Sequence, residues 1–233
     1  MPNMPSGPEY TGTPPGRPLF DFLNTVVGKL IAANVIVYAL QRTLGPVMMQ
    51  YFALWPLGDY SLTDARGSVG FEPWQIVTCA FLHDPKSITH ILLNMYGLWA
   101  FGTTVERALG ARRFAWLYFA SILTSGIIQL IFVTATIEQG VVPTVGASGG
   151  VFGVLLAFGL LFPHARVMLI FPPIPMKAWF MVIAYAAIEL FSGVTGTMQG
   201  VAHFAHLGGM LGAFLLMLSW RRRSPPAPPD VPG

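Results

Sequence analysis

The sequence has 233 residues, of which 54% are hydrophobic and only 10% are charged. Soluble domains carry about 25% charged residues because a surface that faces water needs them, so much of this surface must face lipid. The formal net charge of +3 is small. Without a run of Lys and Arg interleaved with aromatic residues, it gives no support to nucleic-acid binding. The composition therefore predicts an all-α, polytopic integral membrane protein.

Six apolar stretches predict six transmembrane helices, since a helix needs about 20 apolar residues to cross the hydrocarbon core. They lie at about 21–42, 87–105, 112–134, 147–162, 176–193 and 201–220. Together they predict one membrane domain over residues 21–220. The tail of residues 1–20 is rich in Pro and Gly and is predicted to be flexible and cytoplasmic. The tail of residues 221–233 is basic, then Pro-rich, and is predicted to be disordered and cytoplasmic.

The long connection between the first two helices, about 43–86, is rich in aromatic residues such as Trp55 and Trp74. Aromatic side chains concentrate at membrane–water interfaces, so this loop is predicted to lie at the interface. The orientation is predicted from Lys and Arg, which the positive-inside rule places in cytoplasmic loops. If both termini are cytoplasmic, most of these residues lie on the cytoplasmic side. The inner set is Arg17, Arg107, Arg112, Arg113, Arg166, Lys177 and Arg221 to Arg223.

Polar residues occupy the outer ends of the second, fourth and sixth helices in this orientation. His90 and Asn94 share one face of the second helix because they are four residues apart. Ser148 opens the fourth helix, and His206 lies in the sixth. At a rise of about 1.5 Å per residue, Asn94, Ser148 and His206 all lie roughly 8–10 Å below the outer end. Polar groups at that depth normally face a bundle interior or a water-filled cavity, which predicts a site.

Small residues on the fourth and sixth helices predict that these two helices approach closely, since small side chains let helix backbones meet in lipid. The two sets are Gly149, Gly150, Gly153 and Ala157, and Gly208, Gly209, Gly212 and Ala213. Close approach would bring Ser148 within hydrogen-bonding reach of His206.

The polar residues at this site permit acyl transfer. A serine becomes a good nucleophile when a base takes its proton, and a neutral imidazole is the usual base near neutral pH. Ser148 also lies at a helix N-terminus, whose free N–H groups favour negative charge. With the side chains of His90 and Asn94, these N–H groups would form an oxyanion hole. Glu189, near the outer end of the fifth helix, could orient His206 as a third, acidic member. An interfacial or loop-bonding role is favoured for it, so the site is predicted to be a Ser-His dyad.

Other readings of the same residues remain open. Ser148 alone is more often a packing serine, and His90 or His206 alone is more often an interior histidine. A metal site of His90, His203 and His206 is conceivable, but no nearby carboxylate supports it. His83, His164 and His203 are interpreted as structural or interfacial. The single cysteine, Cys79, excludes an internal disulfide and is interpreted as buried. Gly146–Gly150 also fits the nucleophile elbow of soluble hydrolases, but that motif needs a soluble α/β sheet.

Four motifs in this order resemble those of the rhomboid family. His90 to Asn94 resembles the HxxxN element, and Glu106 to Gly110 resembles the ExxxG segment that closes the second helix. Gly146 to Gly149 matches GxSG, and Ala205 to Gly209 matches AHxGG. The resemblance covers about residues 20–220.

The resemblance implies a serine endopeptidase that cleaves transmembrane protein substrates near the outer ends of their helices, in contact with membrane lipid and without cofactor or metal. It implies Ser148 as nucleophile, His206 as base, and His90, Asn94 and the Ser148 backbone as the oxyanion site. Gly146, Gly149 and Phe152 are implied as supporting residues. It also implies that the fifth helix helps to gate substrate entry. The six-helix form, with no seventh stretch visible, is typical of bacterial rhomboids and implies a bacterial inner membrane.

Two positions depart from the family pattern. The first-loop Trp-Arg pair reads Trp74-Gln75 here, and the aromatic residue one turn after Ser148, often Tyr, is Phe152.

Two rival functions are weighed against the protease. A catalytically silent rhomboid-like protein that binds membrane clients predicts loss of the dyad. A small transporter or channel predicts a polar path through the whole membrane.

Overall fold

A computed structural model describes residues 18–61, 67–168, 173–197 and 202–223. Within these ranges the chain is mainly helical. The α-helices are α1 (Pro18–Asn24), α2 (Val26–Phe52), α3 (Gln75–Thr78), α4 (Ile88–Gly97), α5 (Thr103–Leu109), α6 (Ala111–Ala135), α7 (Ser148–Leu161), α8 (Ala178–Thr195) and α9 (His203–Arg223). Most of the two predicted tails, residues 1–17 and 224–233, lies outside the described residues.

Four of these helices, α2, α6, α8 and α9, are long and apolar enough to cross a membrane, and α7 is a shorter apolar helix. Residues 88–109 form a continuous helical run, in which a π-helical turn at Leu98–Gly102 joins α4 to α5. The prediction of a mainly helical, multi-pass membrane protein is thus confirmed. Six crossings and the cytoplasmic position of both termini stay predictions.

The start of the first long helix differs from the prediction because a polar cap interrupts the apolar stretch. Thr25 separates α1 from α2, and its Oγ1 accepts a hydrogen bond from the Gly28 N–H at 2.9 Å. The Glu106 carboxylate accepts the N–H groups of Val26 and Val27 at 2.8 and 2.9 Å. The first N–H groups of a helix have no partner within it, so these acceptors fix where α2 begins.

The same helix runs to Phe52, ten residues beyond the predicted end near residue 42. Polar residues there suggested a boundary, but they dock a distant segment instead. Gln41 is buried and pairs with the backbone of His83, donating to its carbonyl at 3.0 Å and accepting its N–H at 2.9 Å. Arg42 donates to the Pro85 carbonyl at 2.6 Å. These partners lie about 40 residues away, so local sequence does not reveal them.

The connection between α2 and α4 is folded rather than extended. It holds an antiparallel pair, β1 (Asp59–Ser61) with β2 (Ser68–Gly70), then α3 and a 3₁₀ turn at Cys79–Phe81. Gln75, which stands where the family often has arginine, is buried and accepts the Trp55 N–H at 3.2 Å while donating to the Gly70 carbonyl at 3.2 Å. An amide therefore ties this loop together at that position.

A second antiparallel pair, β3 (Arg166–Met168) with β4 (Pro175–Lys177), lies between α7 and α8. The all-α prediction therefore needs the addition of two short hairpins. Both are confined to connections between helices, where they pair backbone groups that no helix satisfies.

Helices α6, α7 and α9 meet through glycines, as the small-residue pattern predicted for α7 and α9. A Cβ atom at Gly209 would overlap the carbonyl oxygen of Gly149, and one at Gly153 would lie 2.9 Å from the Gly209 carbonyl oxygen. A Cβ at Gly208 would lie 3.0 Å from the Ser125 Cα of α6. The backbones are thus too close for any side chain, and this contact fixes the position of Ser148 relative to α9.

Candidate active site

Ser148 and His206 face each other across the α7–α9 contact. The Ser148 Oγ and His206 Nε2 atoms are 2.8 Å apart, a hydrogen-bonding distance. Ser148 is the first residue of α7, and His206 lies one turn into α9 with 8% of its surface exposed. Two residues that are 58 positions apart in sequence are therefore brought together in the geometry that proton transfer needs.

Phe152 stacks on the His206 ring. The ring centroids are 4.2 Å apart and the planes differ by only 5°. Phe152 lies one turn after Ser148, and on its other side it meets Tyr185 of α8 edge-on at 6.0 Å. This stacking limits rotation of the imidazole, so the missing hydroxyl at position 152 removes no contact to His206.

His90 lies beside Gly146, immediately before α7. The Asp84 N–H donates to the His90 Nδ1 at 3.2 Å, so in the neutral ring the proton is on Nε2. A Cβ atom at Gly146 would lie 2.9 Å from this Nε2 and 3.6 Å from the Ser148 Oγ. Because Gly146 has no side chain, the His90 N–H donor stays uncovered on the side of the Ser148 hydroxyl.

Asn94, the other predicted oxyanion residue, is buried on the same helix. Its amide donates to the His90 carbonyl at 2.9 Å, one turn earlier. Among the contacts of the described residues, none joins Asn94 to Ser148 or His206. Its visible role is to bond the backbone of the turn that carries His90.

The structure places Glu189 of α8 against the site, where the less favoured of its two predicted roles, orienting His206, requires it. One carboxylate oxygen, Oε2, lies 3.0 Å from the His206 Nδ1 and 2.6 Å from the His203 Nδ1. His203 was interpreted as structural or interfacial; it forms a direct hydrogen bond to this carboxylate. The His206 contact has the distance of an ion pair, although its angle falls short of a hydrogen bond. Spacing gave one signal, since His203 and His206 are three residues apart on one helix.

A small cavity of about 20 Å³, enough for about one water molecule, adjoins Ser148. Ser125 and Gln129 of α6 line it, and the Gln129 Oε1 is buried without a hydrogen-bond partner. These residues were missed from the sequence. Ser121, Ser125 and Gln129 recur every four residues in an apolar helix, and that spacing places them on one face.

Two titratable groups of the preceding connection lie close to the site. Burial raises the pKa of the Cys79 thiol to about 12, so this cavity-lining cysteine stays a thiol and is no nucleophile. Burial, and then the neighbouring His90, lower the pKa of His83 to about 4, so its ring is neutral near pH 7. The His83 and His90 rings meet edge-on at 5.1 Å.

The three-histidine metal alternative has no matching geometry. His90 is held by the Asp84 N–H, whereas His203 and His206 turn to Glu189. Within the described ranges, no group of three His, Cys, Asp or Glu side chains is arranged to hold one ion.

The contact between Gly146 and His90 leads to a prediction. Gly146→Ala should slow peptide cleavage by about 10²-fold, because the new methyl group would lie 2.9 Å from the His90 Nε2 and push this oxyanion donor away. Cleavage of a transmembrane substrate by the purified variant measures this.

Gly140 offers a matched control, since it also has a positive φ (120° against 134°) but nothing within 4 Å of a Cβ. Gly140→Ala carries similar backbone strain and should cleave like the unmodified protein. Equal losses in both variants would assign the effect to strain and contradict an oxyanion position at Gly146.

The fold and the site together define a class, a helical multi-pass membrane protein with a paired serine and histidine inside its helix bundle. The model of the Rhomboid domain matches residues 70–223, about two thirds of the chain. The chain belongs to the rhomboid family, which includes serine intramembrane proteases.

Curated relatives agree with this assignment. Rhomboid protein 1, mitochondrial, of Saccharomyces cerevisiae is 36% identical over 58% of this chain and 38% of its own length. Presenilin-associated rhomboid-like protein, mitochondrial, of Homo sapiens is 31% identical over 89% of this chain and 52% of its own length. RHOMBOID-like protein 4 of Arabidopsis thaliana is 32% identical over 63% of this chain and 34% of its own length.

The chain spans about a third to a half of the length of these three relatives. The predicted bacterial inner membrane finds no support in them, since two carry "mitochondrial" in their names. The coarser prediction, an integral multi-pass membrane protein, is supported.

Proposed function

We propose that this chain is an intramembrane serine endopeptidase that cleaves transmembrane protein substrates through Ser148 and His206. The observation that carries the proposal is the 2.8 Å contact between the Ser148 Oγ and the His206 Nε2. Support also comes from the donor at His90 Nε2, which faces the position next to the serine where an oxyanion would form.

In the first half-reaction the Ser148 Oγ attacks the carbonyl carbon of the scissile bond while His206 Nε2 takes the hydroxyl proton. The carbonyl oxygen becomes an oxyanion beside Gly146, where His90 Nε2–H and the Ser148 backbone N–H stabilise it. His206 then passes its proton to the leaving amine, the C–N bond breaks, and an ester to Ser148 remains.

In the second half-reaction a water molecule hydrolyses that ester. His206 takes a proton from the water, the hydroxide attacks the ester carbon, and the Ser148 Oγ leaves with the proton returned. The cavity lined by Ser125 and Gln129 supports this step because it has room for about one water next to Ser148. Gln129, which donates to the Thr144 Oγ1 at 3.1 Å, keeps its carbonyl oxygen free to orient such a water.

The proposal includes the predicted arrangement in the membrane. The helical run 88–109 and the short α7 complete six crossings, with both termini in the cytoplasm and the site in the outer leaflet. A substrate helix buries its carbonyls in hydrogen bonds, so it must unwind before attack, and residues of low helix propensity near the scissile bond should favour cleavage. Helix α8 is suited to lateral entry because much of it faces outward, including Ile183, Phe191 and Val194.

Covalent labelling tests the proposal. A fluorophosphonate probe should react with the purified protein in detergent or liposomes, with the Ser148 Oγ displacing fluoride at phosphorus. Mass spectrometry should locate the adduct on the peptide that contains Ser148, and Ser148→Ala protein should stay unlabelled. Absence of labelling in the folded protein would favour the rival function, a silent protein that binds membrane clients. Equal labelling of the variant would place the reactive nucleophile at another residue and contradict the role of Ser148.

A further inference from the structure

We propose that Glu189 is a positioning residue, which holds the His206 ring in the tautomer that accepts the proton of Ser148. The inference rests on the proposed function of Ser148 and His206, and it replaces the predicted dyad by a Ser-His-Glu arrangement. Glu189 is buried in α8, and its Oε2 lies 3.0 Å from the His206 Nδ1, the ring nitrogen opposite the one that faces Ser148.

The tautomer that His206 needs as a base requires a hydrogen-bond acceptor beside its Nδ1. To take a proton from Ser148, the His206 Nε2 must have a free lone pair, so the proton of the neutral ring must be on Nδ1. Glu189 is the acceptor that the described residues present to that N–H. At 3.0 Å the carboxylate attracts the Nδ1 N–H, and it stabilises the imidazolium that forms when the serine proton arrives.

His203 holds the Glu189 carboxylate in place. Its Nε2 contacts the Thr197 carbonyl at 3.2 Å, while its Nδ1 lies 2.6 Å from the Glu189 Oε2. His203 therefore joins the carboxylate to the loop after α8. One carboxylate oxygen with two lone pairs serves both histidines.

The geometry also separates the two histidines by role. His203 bonds to the loop after α8 and to Glu189, whereas His206 bonds to Ser148. Glu189 therefore links α8 to the reacting pair on α7 and α9. An ionisable residue within an apolar helix is costly and is normally functional, which agrees with this role.

Glu189→Gln tests the proposal because it keeps the side-chain size and removes the charge. The amide either turns its NH₂ toward His206, which favours the unreactive tautomer, or leaves His203 without its carboxylate partner. We expect kcat for a transmembrane substrate to fall by about 10²-fold or more, with KM changed by less than about threefold, since Glu189 does not touch substrate. Glu189→Asp, which restores the carboxylate, should recover kcat to within about tenfold of the unmodified protein.

A control on a helix away from the site is Thr43→Val in α2, which removes an exposed hydroxyl that donates to the Leu40 carbonyl. This variant should keep the original kcat and melting temperature. A Glu189→Gln protein that cleaves within about threefold of the original rate would overturn the proposal.

A double variant separates positioning from a purely structural role. If Glu189 acts through His206, adding Glu189→Gln to His206→Ala should slow fluorophosphonate labelling no further, because residues that act as a unit are not additive. A further loss in the double variant would assign Glu189 to folding and contradict the proposal. Labelling of Ser148 in the unmodified protein tests the proposed function independently, so the two proposals can fail separately.

Discussion

Replacing Ser148 by alanine is expected to reduce cleavage of a transmembrane substrate by at least about 10⁴-fold, the largest effect that we predict. The change removes the hydroxyl that we propose to form the acyl-enzyme, while alanine suits the first turn of α7 and leaves the glycine contacts unchanged. The measurement is the appearance of the cleaved product over time, with purified protein and substrate in the same liposomes. Adding His206→Ala should cost nothing more, because without the serine the base has no proton to take.

Ser219→Ala is the matched control for this change. This variant also loses one hydroxyl, which donates to the Leu216 carbonyl of the same helix at 2.7 Å. Ser219 lies in the last turns of α9, more than three turns beyond His206. Its activity should equal that of the unmodified protein. If Ser148→Ala kept more than about a tenth of the original rate, a mechanism without a serine nucleophile would be required.

The contact between Ser148 and His206 could be predicted from sequence because each part depends on short spacings. Ser148 opens a helix that is too short to span the membrane, and the glycines that follow it match those that follow His206. Small residues at these spacings allow close backbones, and the predicted approach of α7 to α9 occurs in the structure, with Gly149 against Gly209. Local pattern was sufficient here since the two helices pack through their own motifs.

Glu189 and His203 could not be assigned in the same way. Their contact depends on how α8 is rotated about its axis and on how the chain after Thr195 returns to α9, and neither follows from hydropathy. The predicted end of α2 was wrong for a similar reason, because Gln41 and Arg42 bond to the backbone of His83 and Pro85. From sequence alone, polar residues in apolar helices indicate helix boundaries. In the fold, these residues form contacts with distant parts of the chain.

Gly209→Val is the second large effect that we expect, and it tests whether the glycine contact creates the site. A Cβ at Gly209 would overlap the Gly149 carbonyl oxygen and lie 3.0 Å from the Gly149 Cα, and a backbone cannot rotate away as a side chain can. Helices α7 and α9 must therefore separate. We expect a loss of more than about 3 kcal/mol in unfolding free energy. A misplacement of about 1 Å costs about 10²-fold in rate, so we expect cleavage to fall by at least about 10²-fold.

Gly209→Ala should give an intermediate loss in both measurements, because the Cβ alone meets the carbonyl. Ala39→Val supplies a control for the β-branched side chain: Ala39 is an exposed position of α2, and this variant should unfold and cleave like the unmodified protein. A Gly209→Val protein with the original melting temperature and rate would show that the backbones of α7 and α9 do not meet there. The 2.8 Å approach of Ser148 to His206 depends on that contact, since it fixes the separation of the two helices that carry the pair.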